Sequence, residues 1–282
     1  MKLLTFSVDG TVSWGAVKGD GVVDLGKRFG ERAPTLRAAL AGNHLHEAEG
    51  MVEANDADHA LGDIVYLPVV PNPDKILCVG LNYEPHRLEG GHAKTEHPTI
   101  FARFASSQTA HEQPLLSPRE SDKLDYEGEI AIVIGKGGRR IAQDKALDHI
   151  AGYACYNEGS VRDWQRHSTQ FIPGKNFEKT GSFGPWMVTS DDIPDVNDLT
   201  LVTRLNGEEM QRANSSELTF PIPEIIAYCS TFTELVPGDV IVTGTPGGVG
   251  SRREPPVFMK PGDVVEVEVS SIGVLRNKVE RD

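Results

Sequence analysis

Two glutamates spaced one residue apart open an otherwise apolar run, YEGEIAIVIGK, at residues 126–136. Side chains two positions apart in a β-strand point to the same face, so Glu127 and Glu129 are expected side by side. Burying a carboxylate among isoleucine and valine is costly unless a positive charge meets it. The pattern fits a hard divalent cation held by carboxylate oxygens. It also fits a strand whose acidic side faces solvent while the isoleucines turn inward, and spacing alone leaves both readings open.

A second group of polar residues lies in GYACYNEGSVRDWQRHSTQFIPGKNFEKTGSFGPW, residues 152–186. Glu158 and Arg162 are four apart, and Arg162 and Gln165 are three apart, so a helical turn would group them. A charged surface helix is the ordinary interpretation of such spacing. The aromatic and glycine residues around this group, with Lys175 shortly after it, instead favour a structured site.

A histidine and a glutamate three residues apart occur in VGLNYEPHRLEGG, residues 79–91. Pro85 is tolerated in a first helical turn, so His86 and Glu89 are expected on one face of a short helix. Taken alone, such a pair is usually an exposed helical face. The Gly- and His-rich GGHAKTEHP that follows predicts a mobile lid, in which His92 and His97 are interpreted as bystanders.

The elements that must position these residues are mostly strands. Short β-branched runs bounded by Gly, Pro and Asp recur from residue 76 onward. Besides the short helix of His86 and Glu89, helices are predicted in this part of the chain at 145–150, 160–167 and 223–229. This pattern predicts a mixed, β-rich fold and argues against a doubly wound sheet. Residues 1–70 read as a small α+β domain, and a Pro-rich piece separates it from a catalytic domain at 71–282.

Composition narrows the class of protein. The 28 Lys+Arg against 41 Asp+Glu give a formal net charge of −13, which argues against nucleic-acid and anionic-membrane partners. The start MKLLTFSVDG reaches polar residues too soon for a signal peptide, and no apolar run is long enough to cross a membrane. Cys78, Cys155 and Cys229 fit neither a disulfide framework nor a zinc site, so we expect reduced core residues of a cytoplasmic protein.

Four motifs together resemble the fumarylacetoacetate hydrolase family: YEGEIAIVIGK, GYACYNEGSVRDWQ, the following GKNF, and TGTPGGVG at residues 243–250. The resemblance covers roughly residues 70–280. It implies a β-sandwich roll for the catalytic domain, a homodimer, and Mg²⁺ or Mn²⁺ bound by two glutamates and one further acid. Those ligands would be Glu127, Glu129 and Glu158, although the third position in the family is usually Asp and this chain reads NEGS.

The resemblance also implies roles for the other polar residues. His86, oriented by Glu89, would activate water. Arg162, Gln165 and Lys175 would stabilise an oxyanion.

The resemblance also bears on two segments that would contact the substrate. The backbone N–H groups of TGTPGGVG around Gly244, together with the Thr245 hydroxyl, would cradle a substrate carboxylate. Where the family often has F-x-K-P this chain has FARF, so Arg103 either meets an anionic substrate end or is a structural arginine.

We therefore expect a Mg/Mn-dependent hydrolase that cleaves a carbon–carbon bond of an acylpyruvate or other 2,4-dioxo acid and expels a pyruvate enolate. Relatives that isomerise muconate-type dienoates or decarboxylate oxaloacetate use the same enolate chemistry and form the alternative. A non-catalytic sensor of 2-oxo acids is a third reading, which the full set of base, ligands and oxyanion donors argues against.

Overall fold

A computed structural model describes residues 1–282, and most of its regular structure is strand. The strands are β1 (Lys2–Val8), β2 (Thr11–Lys18), β3 (Gly21–Asp24), β4 (His59–Ala60), β5 (Val65–Leu67), β6 (Ile76–Gly80), β7 (Thr99–Arg103), β8 (Gln108–Thr109), β9 (Leu115–Ser117), β10 (Leu124–Asp125), β11 (Gly128–Ile134), β12 (Ile150–Asn157), β13 (Ser160–Val161), β14 (Gly181–Thr189), β15 (Thr200–Leu205), β16 (Glu208–Asn214), β17 (Val240–Val242), β18 (Val264–Val269) and β19 (Gly273–Arg281).

The helices are few and short. The α-helices are α1 (Leu25–Phe29), α2 (Leu36–Ala41), α3 (Leu45–Ala54), α4 (Glu84–Glu89), α5 (Arg162–Gln165), α6 (Ile172–Lys175) and α7 (Ile222–Phe232). The 3₁₀ helices are Gly30–Arg32, Ala105–Ser107, Gln143–His149, Ser190–Asp192, Val196–Asp198, Ser215–Glu217 and Gly250–Arg252. None of the helices is both long and apolar enough to span a membrane.

Three sheets make up the fold. The largest has 12 strands, ten of them in the order β4-β3-β2-β1-β14-β12-β11-β17-β6-β7, with β5 paired to β1 and β8 paired to β14. A second sheet has the order β16-β15-β18-β19-β9, and β10 pairs with β13. The mixed, strand-rich fold predicted from the sequence is confirmed.

The central strand β11 is covered on both faces, which explains its unbroken apolar composition. Ile130, Ile132 and Ile134 pack into a core of 29 residues that includes side chains of the five-stranded sheet and of α7. Ala131 and Val133 pack into a second core of 24 residues, which α1 and α2 cover. The solvent-facing alternative for this strand is therefore wrong.

The N-terminal region shares its sheet and its core with the rest of the chain. Leu3 of β1 pairs with Met187 of β14, and both lie in the same hydrophobic core. Strands β1, β2 and β3 follow one another at the N-terminus. The domain boundary near residue 70 stays a prediction.

The predicted helices differ in how well they form. The helix predicted at 223–229 is present as α7 and is longer than expected, whereas 145–150 falls on the 3₁₀ helix Gln143–His149. The helix predicted at 160–167 shrinks to the single turn of α5, because Ser160 and Val161 instead pair with β10. All three cysteines are free and buried, as predicted.

Candidate active site

Three buried carboxylates meet where strands β11 and β12 run side by side. Gly128 of β11 pairs with Asn157, the last residue of β12. Glu127 and Glu129 lie on either side of Gly128, and Glu158 directly follows Asn157, so the three glutamates come together. The backbone N–H of Glu158 donates to the Glu127 carbonyl at 2.7 Å. Each of the three glutamates has 3% or less of its surface exposed. Strand pairing, not a helical turn, therefore brings Glu158 to the other two.

The donor set of this triad fits a divalent cation. One oxygen from each glutamate lies within 4.8 Å of the others. Mg²⁺ holds oxygen ligands at about 2.0–2.1 Å, so opposite ligands lie about twice that distance apart. Oε1 of Glu158 is buried without a hydrogen-bond partner, which leaves a lone pair available for a cation. Glu in place of the usual Asp still delivers its carboxylate to the group.

The charged groups around the triad shift the pKa values of Glu127 and Glu129 in opposite directions. Burial alone would raise the pKa of Glu127, but the positive charges of Arg162 and Lys175 lower it well below its usual range. Burial raises the pKa of Glu129 well above its usual value, and the negative charges of Glu158 and Glu127 raise it further. If all three glutamates were ionised, they would outnumber the two cations beside them, and a divalent cation would balance that excess.

Lys175 is buried between two of the metal-ligand candidates. Its Nζ lies 2.5 Å from Oε2 of Glu127 and 2.8 Å from Oε2 of Glu158, and 4.9 Å from the centre of the Phe101 ring. Lys175 ends α6, and Gly174 before it is so close to the Gln165 backbone that a side chain would not fit. The lysine is thus a fixed positive charge at the triad.

Arg162 joins the triad to a second acid. Its Nη1 lies 2.6 Å from Glu127, its Nε donates to Asp125 at 2.8 Å, and Nη1 also donates to Oε1 of Gln165 at 3.0 Å. Its Nη2 is buried with no partner in the protein. That free N–H group, together with the amide of Gln165, is available to a bound ligand.

His86 and Glu89 form the pair that their spacing predicted. His86 Nδ1 lies 2.7 Å from Oε1 of Glu89, and the Gly248 N–H donates to Oε2 at 2.9 Å. Although burial would raise it, hydrogen bonds from His86 and Gly248 lower the pKa of Glu89. An ionised carboxylate only accepts hydrogen bonds, so Nδ1 of His86 carries the proton of this bond. In a neutral imidazole the lone pair then lies on Nε2, the atom that could accept a proton.

A single cavity of about 230 Å³ brings these groups together. Its lining includes the predicted residues His86, Glu127, Glu129, Glu158, Arg162, Gln165, Lys175 and Thr245. It also includes residues that the sequence did not single out as functional: His92, Phe101, Arg166, Phe171, Ser251 and Arg252. Arg166 directly follows Gln165 in the sequence, and this adjacency is the one signal that could have drawn attention to it.

The glycine-rich loop plays a different part from the one expected. The N–H group of Gly244 donates to Glu129 at 2.5 Å, and that of Gly250 donates to Asp125 at 2.8 Å. The N–H group of Gly248 donates to Glu89. These N–H groups therefore hold the protein's own acids instead of standing free for a substrate carboxylate. Two residues of this loop, Thr245 and Val249, reach the cavity, and the Thr245 hydroxyl donates to the Gly128 carbonyl at 3.0 Å.

Arg103 lies outside the cavity lining. It is 2% exposed, and its guanidinium donates to Ser107, to the Gly159 carbonyl and to Thr180. A Cβ at Gly159 would lie 1.8 Å from the Thr180 carbonyl oxygen, so this piece of backbone is tightly packed. The contacts fit the structural alternative for Arg103, which fixes the segment beside Glu158.

Known proteins resemble the chain over most of its length. The profile of the fumarylacetoacetate hydrolase C-terminal family matches residues 75–280. The mitochondrial oxaloacetate tautomerase of Xenopus laevis is 40% identical over 237 residues, which cover 83% of this chain and 74% of that protein. That relative is named as a mitochondrial protein. The cytoplasmic location expected for this chain therefore stays a prediction.

Solved structures agree over the full chain. The maleylpyruvate hydrolase of Sphingobium sp. SYK-6, solved with manganese(II) and pyruvate, is 28% identical with a TM-score of 0.83, covering 100% of this chain and 99% of that one. The 5-carboxymethyl-2-hydroxymuconate delta-isomerase of Mycobacterium smegmatis is 28% identical with a TM-score of 0.79, and each chain is covered completely. By sequence, fold and the buried acidic triad, this chain belongs to the fumarylacetoacetate hydrolase family of enzymes.

Proposed function

We propose that this protein is a divalent-metal-dependent enzyme that moves a proton through the enolate of a small 2-oxo acid. The observation that carries the proposal is the shared cavity, in which the buried triad of Glu127, Glu129 and Glu158 faces the base His86. Glu127, Glu129 and Glu158 would hold Mg²⁺ or Mn²⁺, which would polarise the 2-oxo group and favour its enolate.

His86 is the proton-transfer group of the proposal. Its Nε2 accepts a proton from the substrate and returns it at a second position, while Glu89 stabilises the imidazolium through Nδ1. In an enol-to-keto conversion, the hydroxyl proton of the enol is lost and the neighbouring carbon gains one. No other atom is gained or lost.

The cations beside the triad stabilise the negative charge that develops. The free Nη2 of Arg162 and the amide of Gln165 can donate to an oxygen of the substrate. Lys175 adds positive charge from a fixed, buried position. Donors aimed at developing charge in a site that excludes water are worth more than they are in bulk solvent.

The reaction we put first is the tautomerisation of oxaloacetate. The 40% identity to an oxaloacetate tautomerase supports it, and a single base suffices for it. A second candidate is the hydrolysis of an acylpyruvate or related 2,4-dioxo acid. The ion pair of His86 with Glu89 favours this candidate because it suits water activation, and the structural similarity to a maleylpyruvate hydrolase supports it.

One set of assays separates these reactions. The enzyme is incubated with Mn²⁺ and oxaloacetate, acetylpyruvate or maleylpyruvate, while the ultraviolet absorbance of the enol and the release of pyruvate are followed. Tautomerisation removes the enol without releasing pyruvate, whereas hydrolysis and decarboxylation release it. Absence of turnover on every one of these acids would refute the proposal.

A further inference from the structure

A second group of basic side chains lines the cavity, in addition to those beside the triad. Arg166, Arg252 and His92 all contribute to the lining. The chain has far fewer basic than acidic residues, 28 against 41, yet no carboxylate pairs with Arg166 or Arg252. Of these two arginine side chains, only that of Arg252 makes a hydrogen bond within the protein, to the Gly90 carbonyl at 3.2 Å.

These basic groups line one cavity and influence one another. Partial desolvation, and then the positive charge of Arg252, lower the pKa of His92. Partial desolvation and the charges of Arg252 and Arg162 likewise lower the pKa of Arg166, while Asp125 raises it. The two guanidinium groups repel each other because neither is paired directly with a carboxylate, and an anion placed between them would relieve that repulsion.

We propose that Arg166 and Arg252 form a second anion site, which binds the distal carboxylate of a dicarboxylic 2-oxo acid. The inference rests on the proposed function, because it takes the 2-oxo end of the substrate to lie at the glutamate triad. Guanidinium groups bind carboxylates with paired hydrogen bonds, and such bonds are stronger than neutral ones. The two arginines thereby select a substrate with a charge at each end.

The rest of the lining suits the part of the substrate between its two charged ends. Val79, Phe101 and Phe171 contribute apolar surface to the same cavity. At about 230 Å³, the cavity is smaller than the 300–1,000 Å³ typical of drug-sized ligands. A short dicarboxylic acid suits this size better than an acylpyruvate with a bulky apolar group.

A matched pair of ligands tests the second site without turnover. 2-Oxoglutarate and 2-oxovalerate have the same 2-oxo acid end and the same chain length, but only the first has a distal carboxylate. We expect the Mn²⁺-loaded protein to bind 2-oxoglutarate about tenfold more tightly by calorimetric titration. The difference should shrink at about 1 M salt, where the Debye length is about 3 Å.

Three single variants assign the effect to residues. Arg252→Gln and Arg166→Gln should each reduce the tenfold preference to about threefold or less while leaving 2-oxovalerate binding unchanged. Arg119→Gln removes the same charge from an exposed position outside the cavity and should keep the full preference. Both cavity arginines are exposed, so neither substitution opens a void in a core.

The outcomes distinguish this inference from the proposed function. Equal binding of the two acids by the wild type, or an unchanged preference in both cavity variants, would overturn the second site and leave the enolate chemistry standing. Failure of the wild type to bind either acid, together with no turnover of oxaloacetate, would overturn the proposed function and this inference with it.

Discussion

Replacing Lys175 by methionine tests whether the buried triad is organised around positive charge. The ammonium group is almost fully buried and bonds to Glu127 and Glu158. Removing one partner of a buried ion pair typically costs about 3–5 kcal/mol, because the other charge is left unpaired. At roughly 2 °C per kcal/mol for a chain of this length, we expect Tm to fall by about 6–10 °C in EDTA.

A divalent cation should reverse part of this loss. Glu127 and Glu158 lose their competing ammonium in the variant, so Mn²⁺ should bind there more favourably than in the wild type. Saturation at about 100 times Kd contributes about 2.7 kcal/mol to stability. The rise in Tm from EDTA to excess Mn²⁺ should therefore be larger for Lys175→Met than for the wild type.

Circular-dichroism melts of both proteins, with and without Mn²⁺, measure these changes. Lys94→Met, at an exposed lysine outside the cavity, is the control and should melt within about 1 °C of the wild type. An unchanged Tm for Lys175→Met in EDTA would show that the ammonium does not neutralise the triad. Identical Mn²⁺ shifts in variant and wild type would show that it does not compete with a cation.

Three further changes probe other parts of the site. Glu127→Gln should lower bound Mn²⁺, measured by elemental analysis, together with activity, and retained stoichiometric metal would contradict its role as a ligand. His86→Gln should reduce kcat by about 10²–10⁴ in the oxaloacetate assay with metal content unchanged, and near-normal turnover would remove it as the base. Gly244→Ala should lower Tm and Mn²⁺ affinity together, because φ of Gly244 is +108° and the new Cβ would lie 2.9 Å from the Val79 carbonyl oxygen. An unchanged melting temperature would show that alanine causes no backbone strain at this position.

The sequence predicted those parts of the site that depend on local geometry. Residues two apart on a strand and three apart on a helix are neighbours whatever surrounds them, so the Glu127–Glu129 and His86–Glu89 pairs follow from spacing alone. The metal reading of the first pair came from the family resemblance, because the same spacing also occurs on exposed strands.

The remaining parts depend on contacts between distant segments. Glu158 joins the triad through pairing of β11 with β12, and the expected helix at 160–167 gives way because β13 pairs with β10. Arg252 and His92 are 160 positions apart and meet only in the folded protein. A single sequence carries no local pattern for such contacts, so the second cationic group could not have been predicted.

The loop at residues 243–251 contacts three separate parts of the site. Its N–H groups hold Glu129 of the triad, Glu89 behind the base, and Asp125, which in turn holds Arg162. A ligand that shifts this loop would therefore move Glu89 with His86, Glu129, and Asp125 with Arg162 together. Its glycines allow the backbone to approach three carboxylates this closely: at Gly250, a Cβ would lie 2.7 Å from an oxygen of Asp125. The loop thus positions three acidic residues of the site, whereas the family resemblance implied direct binding of a substrate carboxylate.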